Sequence, residues 1–272
     1  MRLIVVAGST ETADIGGITA AGATPSLIAH TPAADAEVLV HGQLTRAPVL
    51  PVSPSGCPTP AVVTRAAVTL TSTPVTVVDA GMATPPGAPT VRLGDTPGAD
   101  IRTGLAVPTG HALFAAGQRY GRGLSEQTVI LGETIPGGTT TALAVRMALG
   151  VSAPTSSSLP ENPLEQKHRI CASALTAAGL PDPAISPDPV EVLSRVGDPV
   201  LIALTGIAHG AIESGTRVIL GGGTQLVSVI AVLRAMWVQA PLVLATTPYL
   251  LADVPGLPQA LDPLGTEVRT AD

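Results

Sequence analysis

Thr128-Val-Ile-Leu-Gly-Glu-Thr-Ile-Pro-Gly-Gly-Thr-Thr-Thr-Ala-Leu-Ala-Val-Arg-Met-Ala-Leu149 decides how the rest of this chain is read. A β-prone run, Thr128 to Leu131, breaks at Gly132. A loop with Pro136, Gly137 and Gly138 follows, and Thr139-Thr140-Thr141 opens an apolar helical pattern. Strand, glycine loop and helix N-terminus together make an anion-binding geometry, because unpaired backbone N–H groups and the positive end of the helix dipole face the loop. The threonine hydroxyls add donors, and paired glycines admit a phosphate close to the backbone. The same order recurs at Arg217–Arg234, where an apolar run, Gly221-Gly222-Gly223-Thr224 and a second apolar helical pattern follow one another.

Gly132 to Thr139 also has the GxxxxGK[ST] spacing of a nucleoside-triphosphate loop, but Gly138 stands where the lysine belongs. That lysine supplies the charge facing the β- and γ-phosphates, and the only lysine of this chain, Lys167, lies elsewhere. A triphosphatase is therefore disfavoured, and a monophosphate ester such as a nucleotide suits the loop. The competing reading is a glycine-rich turn that binds nothing.

Outward from this stretch, Leu3–Ala7, Pro48–Ser53, Val75–Ala80, Val200–Thr205 and Pro241–Thr247 read as strands, the last being the final one. Helices are expected from an N-cap at Thr31 with Pro32 in the first turn, from Pro58 to Val68, from about Leu105 to Arg122, and after the polar start of Thr155–Arg169. Gly81–Gly104 holds four prolines and little periodicity, the pattern of a functional loop. Continuous apolar strands alternating with helices imply a Rossmann-like α/β fold, a parallel sheet covered on both faces. Ligands of such sheets sit at the carboxyl ends of the strands, where these loops gather. One domain, 1–272, is expected, with a possible subdivision in the proline-rich 181–190 segment.

Composition narrows the function. Aromatic residues are 1% against 45% hydrophobic, so the core is aliphatic; net charge −6 offers no basic surface for nucleic acid. Cys57 and Cys171 form no CxxC pair, and the 5 histidines lack metal-ligand spacing. Cys57 reads as an inert small residue. The most apolar stretch, Val218–Ala252, is interrupted by glycines, Gln225, Arg234 and prolines, so no membrane span is expected. A cytoplasmic protein is the expectation.

Ten blocks carry a resemblance over roughly residues 4 to 253. They are Ser9-Thr-Glu-Thr12, Ile15–Ala23, Thr31-Pro-Ala-Ala-Asp-Ala-Glu37, Pro58-Thr-Pro-Ala61, Asp79-Ala-Gly81 and Pro97–Gly104, followed by Gly132–Ala142, Ser156–Pro163 with Lys167, Val196-Gly-Asp-Pro199 and Gly221–Gln225. In this set the chain resembles the archaeal-type nicotinate mononucleotide:5,6-dimethylbenzimidazole phosphoribosyltransferases. The resemblance implies a homodimer that transfers phosphoribosyl from nicotinate mononucleotide to an azole nitrogen, with inversion at the anomeric carbon. Nicotinate leaves from a cationic pyridinium, so the resemblance implies neither a Mg²⁺ clamp nor a cofactor. In keeping with that, no adjacent acidic pair precedes a TGxT-type loop. By resemblance, Gly137, Gly138 and Thr139 to Thr141 hold the phosphate, Lys167 meets it, and Gly222, Gly223 and Thr224 form the opposite rim. Glu133 then lies beside the ribose.

The resemblance also implies a C-terminal glutamate-rich segment that supplies the catalytic base. The sequence in hand ends at Asp272 with Glu267 as its only late glutamate. Glu133 is then the substitute base and Asp79 the second candidate; a relative that binds the nucleotide without turnover is the alternative. Plainer readings accompany these. Asp79 caps a turn, Glu11 and Asp14 are ordinary loop polars, and Lys167-His-Arg169 is a solvated helix face.

Overall fold

The computed structural model describes residues 1–21, 24–53, 55–180 and 188–271. Its organising element is β1, Arg2–Ala7, whose apolar side chains alternate between two cores as a period of two requires. Ile4 and Val6 enter one core, while Leu3, Val5 and Ala7 enter the other. The helices that follow divide accordingly. After α1, Pro25–Ile28, the helices α2, Thr31–His41, and α3, Ala61–Leu70, supply the smaller core.

Strands β2, Val75–Asp79, and β3, Val91–Arg92, extend the sheet on one side of β1. On the other side β4, Thr128–Thr134, pairs with β1, and β5, Arg217–Gly221, β6, Leu242–Thr246, and β7, Thr266–Thr270, follow. All seven run parallel in the order β3-β2-β1-β4-β5-β6-β7. The larger core lies between the opposite face and α4, Gly110–Arg122, α5, Gly138–Ala148, α6, Leu164–Ala177, α7, Pro189–Val196, α8, Pro199–Glu213, and α9, Gln225–Ala235. Two short helices, α10, Pro248–Asp253, and α11, Leu257–Leu261, bridge β6 to β7. The fold is thus the Rossmann-like α/β arrangement expected. A core almost free of aromatics closes because helices approach closely: a Cβ at Gly206 of α8 would lie 2.4 Å from the Phe114 carbonyl oxygen of α4.

Several boundaries differ from the expectation. Val200–Thr205 is not a strand but the first half of α8, which is buried on all sides for most of its length. A short apolar run does not distinguish a buried strand from a buried helix; the telling signal was Asp198-Pro199, an N-cap followed by proline in the first turn. Strand β4 does not break at Gly132 but continues to Thr134 along β1. Pro48–Ser53 forms only an isolated bridge between Val52 and Pro58. Helix α4 begins at Gly110, not near Leu105.

Thr31 does not cap α2, since its hydroxyl has no partner and His30 takes the cap position. Strand β6 is not the last, because the alternating Thr-Glu-Val-Arg-Thr of β7 follows a left-handed turn at Gly265. The Gly81–Gly104 segment contains β3 and a short 3₁₀ turn, Ile101–Thr103. Positions 181–187 of the proline-rich segment, and Gly22 and Ala23 of the Ile15–Ala23 block, lie outside the described residues. No helix among the described residues is long and apolar enough to cross a membrane.

Candidate active site

The parallel arrangement delivers every strand's carboxyl end to one edge of the sheet, and β4 and β5 lie side by side there. Their glycine loops are therefore neighbours. In the first, Gly137 takes the left-handed conformation (φ 77°), and a Cβ there would come within 3.0 Å of the Ala13 backbone. Only glycine fits both conditions. Helix α5 starts at Gly138, and its three threonines separate into different roles. Thr139 stays at the lip. Thr140 is buried with its hydroxyl unpartnered, and Thr141 donates to Asp198 Oδ2 at 2.5 Å.

In the second loop Thr224 is buried and accepts from the Ser156 backbone N–H at 3.0 Å, with the two hydroxyls 2.8 Å apart. A strap, residues 155–162, is thereby fastened to the second loop at Thr224, with Ser156 beside Gly223. Two buried cations hold it from behind. Lys167 donates to Thr139 Oγ1 and the Ser156 carbonyl, both at 3.0 Å, and to Asn162 Oδ1 at 3.3 Å. Its ammonium is thus brought from α6 to the loop whose own sequence lacks a lysine.

The solvated-face reading of Lys167 is overturned, although His168 and Arg169 beside it are exposed. Arg146 donates to the Thr224 carbonyl at 2.8 Å, to Ser228 Oγ at 3.0 Å and to Thr155 Oγ1. Desolvation lowers Lys167 to about 8 and Arg146 to about 10. Neither cation meets a carboxylate among the described residues. Nearby, burial pushes the Cys171 thiol up to about 12, and it donates to the Thr140 carbonyl.

Carboxyl groups occupy the other flank. Glu133, the penultimate residue of β4, points to the α8 and α9 side of the sheet and is partly exposed at the lip. Thr134 points the opposite way and donates to Asp35 Oδ2 at 2.6 Å; Thr59 donates to Asp35 Oδ1 at 2.7 Å. Asp198 is wholly buried, caps α8 through the Leu201 N–H at 2.8 Å and accepts from Thr141. No basic side chain hydrogen-bonds to any of the three among the described residues.

Desolvation raises Glu133 to about 8, and the charges on Asp198 and Asp35 push in the same direction. Asp35 and Asp198 rise to about 6, again through burial, against hydrogen bonds from their threonines. Like charges placed together at a buried site resist ionising together, so of the three Glu133 holds its proton to the highest pH. Among the described residues no three His, Cys, Asp or Glu side chains converge as a metal site would require.

Asp79 does not join this group. Strand β1 separates it from Glu133, about 10 Å away across two strand spacings, and its carboxylate accepts the Gly81 and Met82 N–H groups at 2.9 Å. Glu11 and Asp14 lie in a 3₁₀ turn packed beside the first loop. Asp35, Arg146, Asp198 and Gln225 were not assigned roles from sequence. Three of them, Asp35, Asp198 and Gln225, sit inside the quoted blocks, and Asp35 and Arg146 are charged residues set among apolar neighbours, the signal of a buried functional or structural group.

These loops, with buried cations and buried carboxyl groups gathered behind them on the carboxyl edge of a parallel sheet, belong to a Rossmann-like α/β protein. The chain belongs to the phosphoribosyltransferase family, whose model matches residues 61–267. It is 50% identical over 249 residues to a UPF0284 protein of Halobacterium salinarum, spanning 92% of this chain and 75% of that protein. A UPF0284 protein of Archaeoglobus fulgidus is 44% identical over 254 residues, 92% of this chain and 72% of the relative. The crystal structure of the nicotinate-nucleotide-dimethylbenzimidazole phosphoribosyltransferase from Thermus thermophilus has the same fold, with a TM-score of 0.66 at 20% identity, covering 99% of this chain and 74% of that one. The structure of CobT from Thermus thermophilus matches equally, with a TM-score of 0.66 at 20% identity over 100% of this chain and 76% of that one.

Proposed function

We propose that this phosphoribosyltransferase uses nicotinate mononucleotide as donor and a benzimidazole-type base as acceptor, releasing nicotinate and forming an α-ribazole phosphate. The observation that carries this is the polarity of the site: cations without carboxylate partners (Lys167, Arg146) behind the glycine loops and carboxyl groups (Glu133, Asp198, Asp35) on the opposite flank. A nicotinate mononucleotide has the matching polarity, a phosphate at one end and a cationic pyridinium-ribose at the other. The phosphate is assigned to Gly137, Gly138, Thr139, Thr140, Lys167, Gly222, Gly223 and Thr224; Thr141, expected there from sequence, has its hydroxyl committed to Asp198 and is left out.

In the reaction the anomeric C–N bond breaks, and its electron pair neutralises the departing pyridine ring. The unprotonated azole nitrogen bonds to the opposite face of the same carbon, and the azolium so formed loses the proton of its other nitrogen. Glu133 is the one of these three carboxyl groups that is partly exposed at the lip and is assigned to the ribose centre and to that proton. A group titrating near the working pH is matched to proton transfer. Asp79, its carboxylate engaged in a turn two strands away, is left outside this assignment. The homodimer implied by the resemblance belongs to the same reading.

The test is incubation of the purified protein with nicotinate mononucleotide and 5,6-dimethylbenzimidazole, beside the Thermus enzyme as control. Chromatography is expected to show nicotinate and the riboside phosphate appearing in equal amounts. Nicotinate release by the control alone would overturn the reading, and calorimetry with the mononucleotide would then distinguish binding without turnover from no binding.

A further inference from the structure

Gln225 is the first residue of α9, on the second glycine loop, yet its side chain lies in the first loop. It is 8% exposed. With the amide nitrogen toward Glu133 it donates to both carboxyl oxygens, Oε2 at 3.1 Å, while its oxygen accepts the Thr139 N–H at 3.3 Å. The reverse orientation would set amide N–H groups against the Thr139 N–H, donor against donor, whatever the protonation of Glu133. A second, steric observation agrees. A Cβ at Gly138 would lie 2.0 Å from the Gln225 amide atom that faces Thr139, the oxygen in this orientation, and 3.1 Å from its Cδ. The missing side chain at 138 therefore makes room for this amide.

We propose that Gln225 is a positioning residue that couples the two glycine loops, holding Glu133 by donation and the first-turn N–H of Thr139 by acceptance. For its catalytic consequence the proposal rests on the phosphoribosyl-transfer reading; its geometry does not depend on it. The groups facing Glu133 are Asp198 at the start of α8, Asp35 on α2 and the Ile135 backbone N–H. Gln225 is the one side-chain donor directed at Glu133 among the described residues. A donor aimed at a carboxylate favours its ionised form, so Gln225 opposes the two aspartates and limits how tightly Glu133 keeps its proton. The same amide ties that proton to the phosphate-loop backbone, because it cannot leave Thr139 without turning at Glu133.

The test uses the whole chain and the near-isosteric Gln225→Met, which keeps volume and removes both hydrogen bonds. Carbon-13 NMR of the glutamate carboxyls, with the Glu133 signal assigned by its loss in Glu133→Gln, reads the titration directly. In Gln225→Met the Glu133 midpoint is expected to rise by about one pH unit, a tenfold gain in proton affinity. In turnover assays kcat is expected to fall at least tenfold at pH 7, with KM for nicotinate mononucleotide changed less than about threefold, since the phosphate contacts remain.

The steric arm is independent of activity. Gly138→Ala should lower the melting temperature of the wild type clearly more than that of Gln225→Ala, where the space has been vacated; Ile135 Cγ2, 2.7 Å from the new Cβ, limits the rescue. An unmoved Glu133 midpoint, or equal damage from Gly138→Ala in both backgrounds, overturns the proposal. Absence of turnover with both arms as expected would sink the substrate assignment and leave the coupling standing.

Discussion

Replacing Glu133 with glutamine should make the protein progressively more stable than wild type as pH rises, and the size of the effect follows from the site. The Glu133 carboxyl is raised from an ordinary 4.5 to about 8 by desolvation and by the neighbouring Asp198 and Asp35 charges. Below pH 4.5 folded and unfolded chains both carry the proton, and linkage contributes nothing. Between 4.5 and 8 the unfolded chain ionises while the folded one does not, so wild-type stability declines through this window and the loss is complete above it. At about 1.4 kcal/mol per pH unit, the part falling between pH 6 and pH 8 amounts to about 2 kcal/mol, an upper figure because Glu133 retains some exposure at the lip and receives the Gln225 amide. Glutamine has no such linkage and keeps a polar group for the Gln225 amide. Asp35 and Asp198 remain in both proteins and cancel to first order. Urea unfolding at constant ionic strength at pH 6, 7, 8 and 9 gives the difference directly. That difference should grow by about 2 kcal/mol toward alkaline pH, a sizeable share of a typical total of about 5–15 kcal/mol. A difference that stays flat with pH, or grows toward acid, would refute the inference that the folded site holds Glu133 in its neutral form.

Lys167→Met should weaken nicotinate mononucleotide binding by about 10–100-fold in calorimetry, the scale of a lost charge-assisted hydrogen bond. Its unfolding free energy should change by no more than about 2 kcal/mol, because the vanished acceptor contacts are offset by removal of a buried unpaired ammonium; an affinity equal to wild type would remove Lys167 from the phosphate site. Gly206→Ala, far from the loops, should lower stability by about 1–3 kcal/mol by wedging α8 from α4, where the added Cβ would stand 2.4 Å from the Phe114 carbonyl oxygen. Chemical denaturation reads it, and an unchanged midpoint would mean that the two helices separate without strain.

What the residues determined by themselves was the local pattern and its consequence for architecture. Apolar runs at Leu3–Ala7, Val75–Ala80 and Thr128–Leu131, with helical patterns between them, point to buried parallel strands, because a sheet covered on both faces accepts side chains without a polar alternation. Gly137 and the run of threonines announced a helix N-terminus in the same local way. The apolar run Val200–Thr205 by itself satisfies a strand or a helix; the Asp198-Pro199 cap ahead of it marks a helix start, and the run packs against α4 and the sheet as α8. Sequence did not reveal which charges meet. Asp35 on α2, Glu133 on β4, Asp198 ahead of α8 and Gln225 on α9 are distant in the chain. They come together because β1, β4 and β5 are adjacent and parallel, which brings the start of each following helix to the same edge. Lys167 likewise gave a sequence reader a charged residue in a polar run, and only the tertiary structure turned it inward to Thr139. Proton affinities at the site belong to that second category, since desolvation and like-charge repulsion exist only once the chain has closed around these groups.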